Sequence, residues 1–210
     1  MFTGIVTAIG IIREVRQTGD LRAVIACPFD PAGIDMGASI ACSGTCLTVV
    51  DKGGEAGGGE AGGPWFAVDI SAESVSKTVP GRWMEGTRIN LEPALKLGDE
   101  LGGHIVTGHI DGVGTVASIE PDGDSHRFTF AAAAELAPYL APKGSITVDG
   151  VSLTVNEVSD QSDGTCRFSV NIIPHTGDVT TLSALKPGDG VNLEIDVLAR
   201  YLQRMQSLRA

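Results

Sequence analysis

A six-residue segment that occurs twice constrains the fold of this chain most strongly. Residues 44–49 read GTCLTV, and residues 150–155, displaced by 106 positions, read GVSLTV. Because successive side chains of a β-strand point to opposite faces, each copy predicts one apolar face and one polar face. For one such strand alone, the simpler interpretation would be a polar face that meets only water. The second copy makes a paired, ligand-facing surface worth considering.

The repeat extends well beyond this segment. Residues 3–6 match residues 107–110, residues 66–70 match residues 168–172, and Asn90-Leu91-Glu92 matches Asn192-Leu193-Glu194. A glycine-rich loop at residues 53–63 is much shorter in the second copy, which explains why the displacement drifts. The chain therefore predicts two copies of one domain, at residues 1–99 and 100–196, followed by a C-terminal helix at residues 197–210.

Each copy has the pattern of a mainly β domain. Short apolar runs are separated by Gly, Pro and Asp, and in the first copy they cover residues 5–15, 23–27, 39–50 and 65–70. This spacing predicts two tandem homologous six-stranded Greek-key β-barrels plus a C-terminal α-helix. Inside a copy we expect one helical stretch, at residues 131–140, whose counterpart at residues 31–37 is a turn or a single helical turn.

The C-terminal tail predicts an amphipathic helix. Asp196 is a suitable N-cap, and the apolar residues after it recur at helical spacing: Val197, Leu198, Tyr201, Leu202, Met205 and Leu208. Such an apolar stripe must be covered. It could dock on its own barrel or pack against the same helix in neighbouring chains, and its position beyond the duplicated unit favours an oligomer.

Charge and composition exclude several classes of partner. The formal net charge of -11 argues against nucleic acid or an anionic membrane, since both attract basic surfaces. No apolar run approaches the roughly 20 residues of a membrane-spanning helix, and residues 1–6 do not resemble a signal peptide. Four scattered cysteines, Cys27, Cys42, Cys46 and Cys166, predict free thiols in a reducing cytoplasm.

Common catalytic and metal-binding motifs are missing from the sequence. His104 and His109 suggest a metal site, but His126 and His175 are the only other histidines and no ligand set is completed. A Walker lysine, a dinucleotide-binding glycine pattern and a Gly-x-Ser-x-Gly elbow do not occur. The residues by themselves predict no metal and leave a duplicated β domain with polar strand faces and no recognisable triad.

A set of short motifs nevertheless resembles one family, the α-chain type of riboflavin synthase. The motifs cover nearly the whole chain, in order and in both halves, and they are residues 1–6, 46–49, 102–104, 107–112, 152–155, 173–176 and 192–196. Each motif is weak alone, but the set is specific.

The resemblance implies two lumazine-binding barrels per chain and a homotrimer held partly by the C-terminal helices. It implies the last step of riboflavin biosynthesis, in which two molecules of 6,7-dimethyl-8-ribityllumazine exchange a four-carbon unit. The products are riboflavin and 5-amino-6-(D-ribitylamino)uracil, and no cofactor or metal is required. In the family the active site forms where the N-terminal barrel of one subunit faces the C-terminal barrel of another. Lumazine synthase is a further possible partner.

The resemblance also transfers two sets of substrate-binding residues onto this sequence. The first set comprises Gly4, Ile5, Val6, Cys46, Leu47, Thr48, Asp69, Ile70, Ser71, Ala72, Glu73 and Ser74. The second set comprises Gly102, Gly103, His104, Lys143, Ser152, Leu153, Thr154, Asn171, Ile172, Ile173, Pro174, His175 and Thr176. Backbone amides at strand edges and small hydroxyls suit a flat pteridine rich in donors and acceptors.

The expected catalytic residues are Cys46, His104, Lys143 and Ser152. A methyl group of one lumazine must lose a proton, and His104 is the first candidate for the base, with His175 second. Cys46 could be a nucleophile or an inert buried thiol. Ser152 occupies the position of Cys46 in the second copy, and Lys143 occupies that of Gly37. This asymmetry suggests that one copy holds the donor lumazine and the other the acceptor.

Two other functions remain open at this level. A non-catalytic lumazine or flavin carrier would need only one good site, whereas both copies here retain the motifs. A flavin-binding module of a reductase would need a nicotinamide-binding domain. The sequence also departs from the family pattern at three places: the long loop at residues 51–64, Ser43-Gly44 in place of an Asn-Gly pair, and Gly177-Asp178 in place of a more helical pair.

Overall fold

The first copy forms a closed, antiparallel six-stranded barrel. The computed structural model describes residues 1–55 and 62–209, so part of the glycine-rich loop lies outside the described residues. The strand order around the barrel is β1-β2-β5-β4-β3-β6. The strands are β1 (Ala8–Thr18), β2 (Asp20–Ala26), β3 (Ser39–Cys42), β4 (Thr45–Gly53), β5 (Trp65–Ile70) and β6 (Arg88–Pro93).

The second copy has the same strand order in a sheet of seven segments, β10-β9-β13-β7-β8-β12-β11. The segments are β7 (Gly112–Asp122), β8 (Ser125–Ala132), β9 (Ser145–Val148), β10 (Val151–Thr154), β11 (Glu157–Asp160), β12 (Cys166–Ile172) and β13 (Gly190–Ile195). β10 and β11 together take the place of β4. The predicted mainly β fold with two homologous barrel repeats is confirmed.

One strand of the second copy is divided into two segments, and the division falls at Asn156. In β4 the register shifts between Val49 and Asp51, which marks a β-bulge. At the matching place in the second copy Val155 and Asn156 lie outside the assigned strands. The Asn156 N–H still donates to the Ser169 carbonyl at 2.8 Å, and its side-chain amide donates to Asn171 Oδ1 at 2.9 Å. The bulge of the first copy has therefore become a break between β10 and β11.

The described residues contain three short helices inside the repeats that sequence reasoning placed wrongly or missed. The helix expected at residues 131–140 begins only at Ala134, because Ala131 and Ala132 pair in β8, and it is a 3₁₀ helix (Ala134–Tyr139). The helices α1 (Ala72–Lys77) and α2 (Pro174–Val179) were not predicted. A 3₁₀ turn at Pro31–Gly33 confirms the expected single turn, and another follows α2 at Thr181–Ala184.

Strand bounds near residues 5–15 and 39–50 also differ from the prediction. β1 begins at Ala8, since residues 2–6 run across to the other barrel. The stretch at residues 39–50 is two strands joined by a tight turn at Ser43 and Gly44, both of which have positive φ. The alternation of apolar and polar residues had hidden this turn.

The alternation along the repeated segment is confirmed. Leu47 and Val49 are buried in the core of the first barrel, whereas Thr48 is exposed. In the second barrel Leu153 and Val155 are buried and Thr154 is exposed. Each core is closed by large side chains, which include Phe66 in the first and Phe128, Phe130 and Phe168 in the second.

The two barrels face each other in a pseudo-symmetric way, because the segment that begins each copy contacts the other copy. Phe2 forms an antiparallel bridge with Val106. The Gly4 carbonyl accepts a hydrogen bond from the Ser152 N–H, and the Gly108 carbonyl accepts one from the Cys46 N–H, both at 2.8 Å. The two repeated strands thus lie at the junction between the barrels.

Buried amides continue the junction on the other side. Asn90 donates from Nδ2 to the Asp149 carbonyl at 2.8 Å, and Asn192 donates from Nδ2 to the Ser43 carbonyl at 2.9 Å. One contact lacks a symmetric twin: Arg82 forms an ion pair with the fully buried Asp149 at 2.8 Å. The barrels are therefore joined by buried hydrogen bonds and an ion pair as well as by packing.

The C-terminal helix α3 (Val197–Ser207) begins as predicted, since Asp196 accepts a hydrogen bond from the Leu198 N–H at 2.9 Å. Arg200 ties it to the second barrel through Asp111 at 2.7 Å. Its apolar side chains are 54% to 70% exposed in the single chain: Leu198, Tyr201, Leu202, Met205 and Leu208. Among the described helices, none is long and apolar enough to cross a membrane.

Candidate active site

The polar face of the second copy contains a chain of three hydrogen-bonding side chains. Ser152 on β10 pairs directly with Thr147 on β9. The Nδ1 atom of His104 lies 2.7 Å from Ser152 Oγ, and its Nε2 atom lies 3.3 Å from Thr147 Oγ1. Both ring nitrogens therefore have a partner, which fixes the orientation of the imidazole.

His104 favours its neutral form. Burial lowers the pKa of the imidazole below its ordinary value of 6.5, and the nearby Asp196 carboxylate opposes this shift more weakly. A neutral imidazole at neutral pH can accept a proton, as a general base must.

Ser152 is held in place by the first copy. Its N–H donates to the Gly4 carbonyl, and a Cβ added at Gly4 would lie 2.5 Å from Ser152 Cβ. Gly4 also has a φ of +76°, which an L side chain rarely adopts. Only glycine allows this approach, so the predicted site residue Gly4 serves as a backbone contact for Ser152.

Two buried glutamates position the crossing segments. Glu92 accepts hydrogen bonds from the Thr3 N–H at 2.7 Å, the Thr3 hydroxyl at 2.8 Å and the Gly4 N–H at 3.0 Å. Glu194 makes the same three contacts with Thr107 and Gly108. Burial raises the pKa of both carboxyl groups, and these hydrogen bonds oppose the shift.

Cys46 has a different environment from Ser152. It pairs with Ala41 across β3 and β4, and it packs against a small apolar cluster of Phe2, Ala41 and Val106. Burial raises the pKa of Cys42, whereas Cys46 is only half-buried. A cavity of about 240 Å³ next to it is lined by Thr45, Cys46, Glu73, Ser74, Lys77, Thr78, Gly108, His109 and Ile110. Cys46 is thus a thiol that a small molecule can reach.

The outer ends of the two strand faces also differ. Continuing the β4–β5 register from Val49 and Val68 places Thr48 opposite Asp69, and both are exposed. Asp69 lies 3.5 Å from Arg22. The matching Asn171 in the second copy is instead occupied, because it donates to Asp122 at 2.9 Å. The first face therefore presents a carboxylate, ion-paired with Arg22 through one oxygen, where the second face presents an amide.

Lys143 adopts a backbone conformation that suits glycine. Its φ is +67°, and its N–H donates to the Val155 carbonyl at 2.7 Å. Gly37 has a φ of +83° and makes the matching bond to Val49. A left-handed residue other than glycine costs about 1 kcal/mol, so the exposed lysine side chain is kept at some cost in stability.

The remaining predicted binding residues fall into two groups. The side chains of Val6, Leu47, Ile70, Leu153 and Ile172 point into the cores, which leaves only their backbone for a ligand. Side chains on the surface or half-buried there are Ile5, Ser71, Ala72, Glu73, Ser74, Ile173, Pro174, His175 and Thr176, and Gly102 and Gly103 lie before His104. Their roles stay predictions.

Sequence reasoning missed Thr147 and Asp196 as neighbours of His104. A signal for Thr147 existed, because it is the residue two before Asp149 that faces Ser152 across the hairpin at Gly150. For Asp196 the sequence suggested only a helix cap. Its place near His104 follows from the path of β13 through the junction.

Comparison with known proteins gives a consistent result. A family model described as a lumazine binding domain matches residues 3–94 and again residues 107–196. The riboflavin synthase of Brucella abortus (strain 2308) is 46% identical over 209 residues, which cover 98% of this chain and 98% of that protein. The riboflavin synthase of Mycobacterium tuberculosis (strain ATCC 25618 / H37Rv) is 40% identical with the same coverage.

Solved structures give the same fold. LumP complexed with 6,7-dimethyl-8-(1'-D-ribityl) lumazine superimposes with a TM-score of 0.75 at 26% identity, over 93% of this chain and 99% of LumP. LumP complexed with riboflavin gives a TM-score of 0.74 at 27% identity. The double match to the domain model and the full-length similarity to named enzymes agree with the duplicated fold described above. The chain therefore belongs to the riboflavin synthase family, enzymes built from two lumazine-binding domains.

Proposed function

We propose that each polar strand face holds one molecule of 6,7-dimethyl-8-ribityllumazine and that the two faces have different roles in the dismutation to riboflavin and 5-amino-6-(D-ribitylamino)uracil. The observation that carries this proposal is the hydrogen-bonded pair of His104 and Ser152 on the second copy. At the matching place on the first copy, Cys46 packs against a small apolar cluster and borders a cavity whose lining includes Glu73 and Lys77.

The second copy suits the lumazine that loses a proton. Removal of a methyl proton leaves a carbanion that the conjugated ring delocalises, so the protein must supply a base and a fixed orientation. The Ser152 hydroxyl can take the methyl proton while it passes its own proton to the neutral imidazole of His104 at Nδ1, and Thr147 holds the other ring nitrogen in place. The ammonium of Lys143, on the same copy, would stabilise the negative charge of the ring.

The first copy suits the acceptor. Cys46 borders the cavity next to Gly108, and its thiol could add to the acceptor ring. Thr48 and Asp69 offer a hydroxyl and a carboxylate to the ribityl chain. The four-carbon unit then passes between the two rings, and the two product formulae together equal two substrate molecules.

The test is to incubate the purified protein with 6,7-dimethyl-8-ribityllumazine alone and follow riboflavin by absorbance. We expect one riboflavin for every two lumazines consumed. His104→Gln should lower kcat by about 10²-fold or more, the usual contribution of a general base. His126→Gln, at an exposed histidine on neither polar face, is the matched control and should retain most activity. Wild-type turnover in His104→Gln would remove His104 as the base.

A lumazine carrier is the second candidate, because solved structures of similar fold include LumP bound to a lumazine. Binding without conversion in the same assay would establish the carrier function. The Cys46→Ser variant tests whether the thiol acts as a nucleophile or is inert. Unchanged turnover would show that the first copy needs no protein nucleophile.

We further propose that the enzyme is a cytoplasmic homotrimer in which the exposed stripe of α3 is covered by other subunits. The support is an apolar helix face of five exposed side chains, which a single chain in water leaves uncovered. Leu202→Glu should lower the mass measured by analytical ultracentrifugation, whereas Gln203→Glu, with the same added charge next in sequence, should not. A wild-type protein that sediments as a monomer would contradict the proposal. Lumazine synthase as a further partner could be tested by co-sedimentation.

A further inference from the structure

The second barrel has a cavity of about 380 Å³ at the end next to the β7–β8 hairpin and the helix α2. Its apolar walls include Ile119, Phe128, Ile172 and Leu185, and its polar lining includes Asp124, His126, Asp178 and Ser183. None of the proposed catalytic residues lines it. It shares Ile172, Ile173 and Pro174 with the predicted binding segment.

One residue that lines this cavity differs in type from the residue at the matching position of the first copy. Leu21 pairs with Ile70 in the first barrel, and His126 pairs with the matching Ile172 in the second. Leu21 packs against the first core. His126 lies on the same face of β8 as the core residue Phe128, yet it is exposed. The second copy therefore has the imidazole of His126, at the mouth of the cavity, where the first copy has the buried side of Leu21.

The second difference is at the middle of the short helix. Val75 of α1 packs against the first core, and the matching residue of α2 is Gly177. Gly177 has no positive φ, and a Cβ there would meet its nearest neighbour, Ser183 Cβ, at an ordinary 3.6 Å. Glycine inside a helix costs about 1 kcal/mol relative to alanine. Neither backbone conformation nor crowding requires this glycine, and its effect is to leave the space of a side chain empty.

From these two replacements we infer that the cavity is a binding site for a small organic cation, a protonated amine on an apolar or aromatic body. The volume lies within the range of small-molecule sites. Apolar walls fit the body of such a ligand, and the carboxylates of Asp124 and Asp178 at the mouth complement its charge. The site adjoins the second lumazine face at residues 172–174, but it contains none of the residues given a catalytic role and does not depend on those roles.

The probe for the test is phenethylamine, with its neutral analogue 2-phenylethanol as the matched control. In two-dimensional NMR of the full-length protein, phenethylamine up to about 10 mM should shift the Gly177 amide and the His126 ring signals in a saturable way, since a millimolar dissociation constant is expected. The alcohol should bind at least threefold more weakly. No saturable shift, or equal affinity for the alcohol, would overturn the inference.

Variants that restore the first-copy residues locate the site. Gly177→Val should abolish the phenethylamine-induced shift of the His126 ring signals. The variant should be at least as stable to urea as the wild type, because it fills a cavity and removes a helical glycine. His126→Leu should likewise weaken phenethylamine binding, measured by the shift of the Gly177 amide signal. Unchanged affinity in both variants would show that the amine binds elsewhere.

A further variant tests how much the carboxylate of Asp178 contributes to binding of the amine. Asp178→Asn keeps the size of the side chain and should weaken phenethylamine binding about threefold, the scale of an exposed ion pair, without effect on 2-phenylethanol. Equal loss for both compounds would contradict recognition of the cation. Riboflavin formation, measured in parallel on the same samples, reports separately on the lumazine site.

Discussion

At the scale of single residues, His104 and Ser152 show how one substitution in a repeated segment changes the chemistry of a surface. The backbones of Ser152 and Cys46 make equivalent hydrogen bonds to Gly4 and Gly108. Ser152 adds an oxygen at 2.7 Å from an imidazole, whereas Cys46 meets apolar neighbours. Equivalent backbone positions therefore present different groups on the two polar faces.

The titration of His104 provides the first prediction. Since burial depresses the folded-state pKa below 6.5, the neutral form contributes stability above pH 6.5 that is lost as the pH falls through the lowered pKa. Activity that depends on the neutral ring should stay constant down to pH 6.5 and decline only below it. The Cε1–H signal in an NMR titration and the acid limb of kcat/KM should give the same pKa. An acid limb retained unchanged in His104→Gln would assign that limb to another group.

Lys143 provides the second prediction. Lys143→Gly should raise the free energy of unfolding by about 1 kcal/mol, because it relieves a left-handed conformation, and it should lower kcat. The exchange of Gly37→Lys in the first copy is the matched control, which should cost a similar free energy and leave turnover unchanged. Urea denaturation and steady-state kinetics measure both quantities. A stabilised Lys143→Gly variant with full activity would assign no catalytic role to the ammonium.

At the scale of elements, the segments that cross between the barrels decide where the repeated strands lie. Glu92 and Glu194 bind residues 3–4 and 107–108, and the carbonyls of Gly4 and Gly108 then receive the strand N–H groups. A strand edge that would face water in an isolated copy is thereby paired with the other copy. The polar faces are positioned by this pairing.

The close approach at Gly108 can be tested against a matched glycine. Gly108→Ala places a Cβ 2.6 Å from Cys46 Cβ at a φ of +79°, so it adds a clash to backbone strain. We expect a loss of about 3 kcal/mol in the free energy of unfolding. Gly86→Ala has a φ of +82° with no atom within 4 Å and should cost only about 1 kcal/mol. Equal losses in urea denaturation would mean that the junction can open without cost.

At the scale of the whole molecule, the junction of the two barrels contains one buried ion pair that the repeat does not duplicate. Asp149 is fully buried and accepts hydrogen bonds from Arg82 and from the Asn192 N–H. Burial raises the pKa of Asp149, and the Arg82 guanidinium opposes this shift. The pair thus links residues of different barrels and depends on both being in place.

Removal of Arg82 should lower the free energy of unfolding by an amount that depends on pH. Arg82→Ala leaves an unpaired buried carboxylate and should cost about 3 kcal/mol at pH 7. Without the guanidinium the pKa of Asp149 rises further, so the carboxyl is protonated more readily and the loss should shrink as the pH falls towards 5. Arg88→Ala, at an exposed position, should change stability by no more than about 0.5 kcal/mol. A loss independent of pH would point to packing instead of charge.

The sequence predicted the features that depend on residues close together in the chain, and it missed features that depend on contacts between distant residues. The inward positions of Leu47 and Val49, the cap at Asp196 and the two homologous barrels followed from alternation, spacing and repetition. The helices α1 and α2 were missed because each is a six-residue element whose apolar residues are too few for a period. The break at Asn156 could not be predicted, since it depends on a contact with Asn171.

The sequence by itself determined which strand faces are polar and that there are two of them, because a period of two and a repeat are properties of the chain. Only the tertiary structure decided what those faces meet. It brought Thr147 and His104 to Ser152, gave Cys46 an apolar neighbourhood, and left space where Gly177 replaces Val75. The reason is that such contacts join residues far apart in the chain, and their geometry is set by strand order and by the crossing segments.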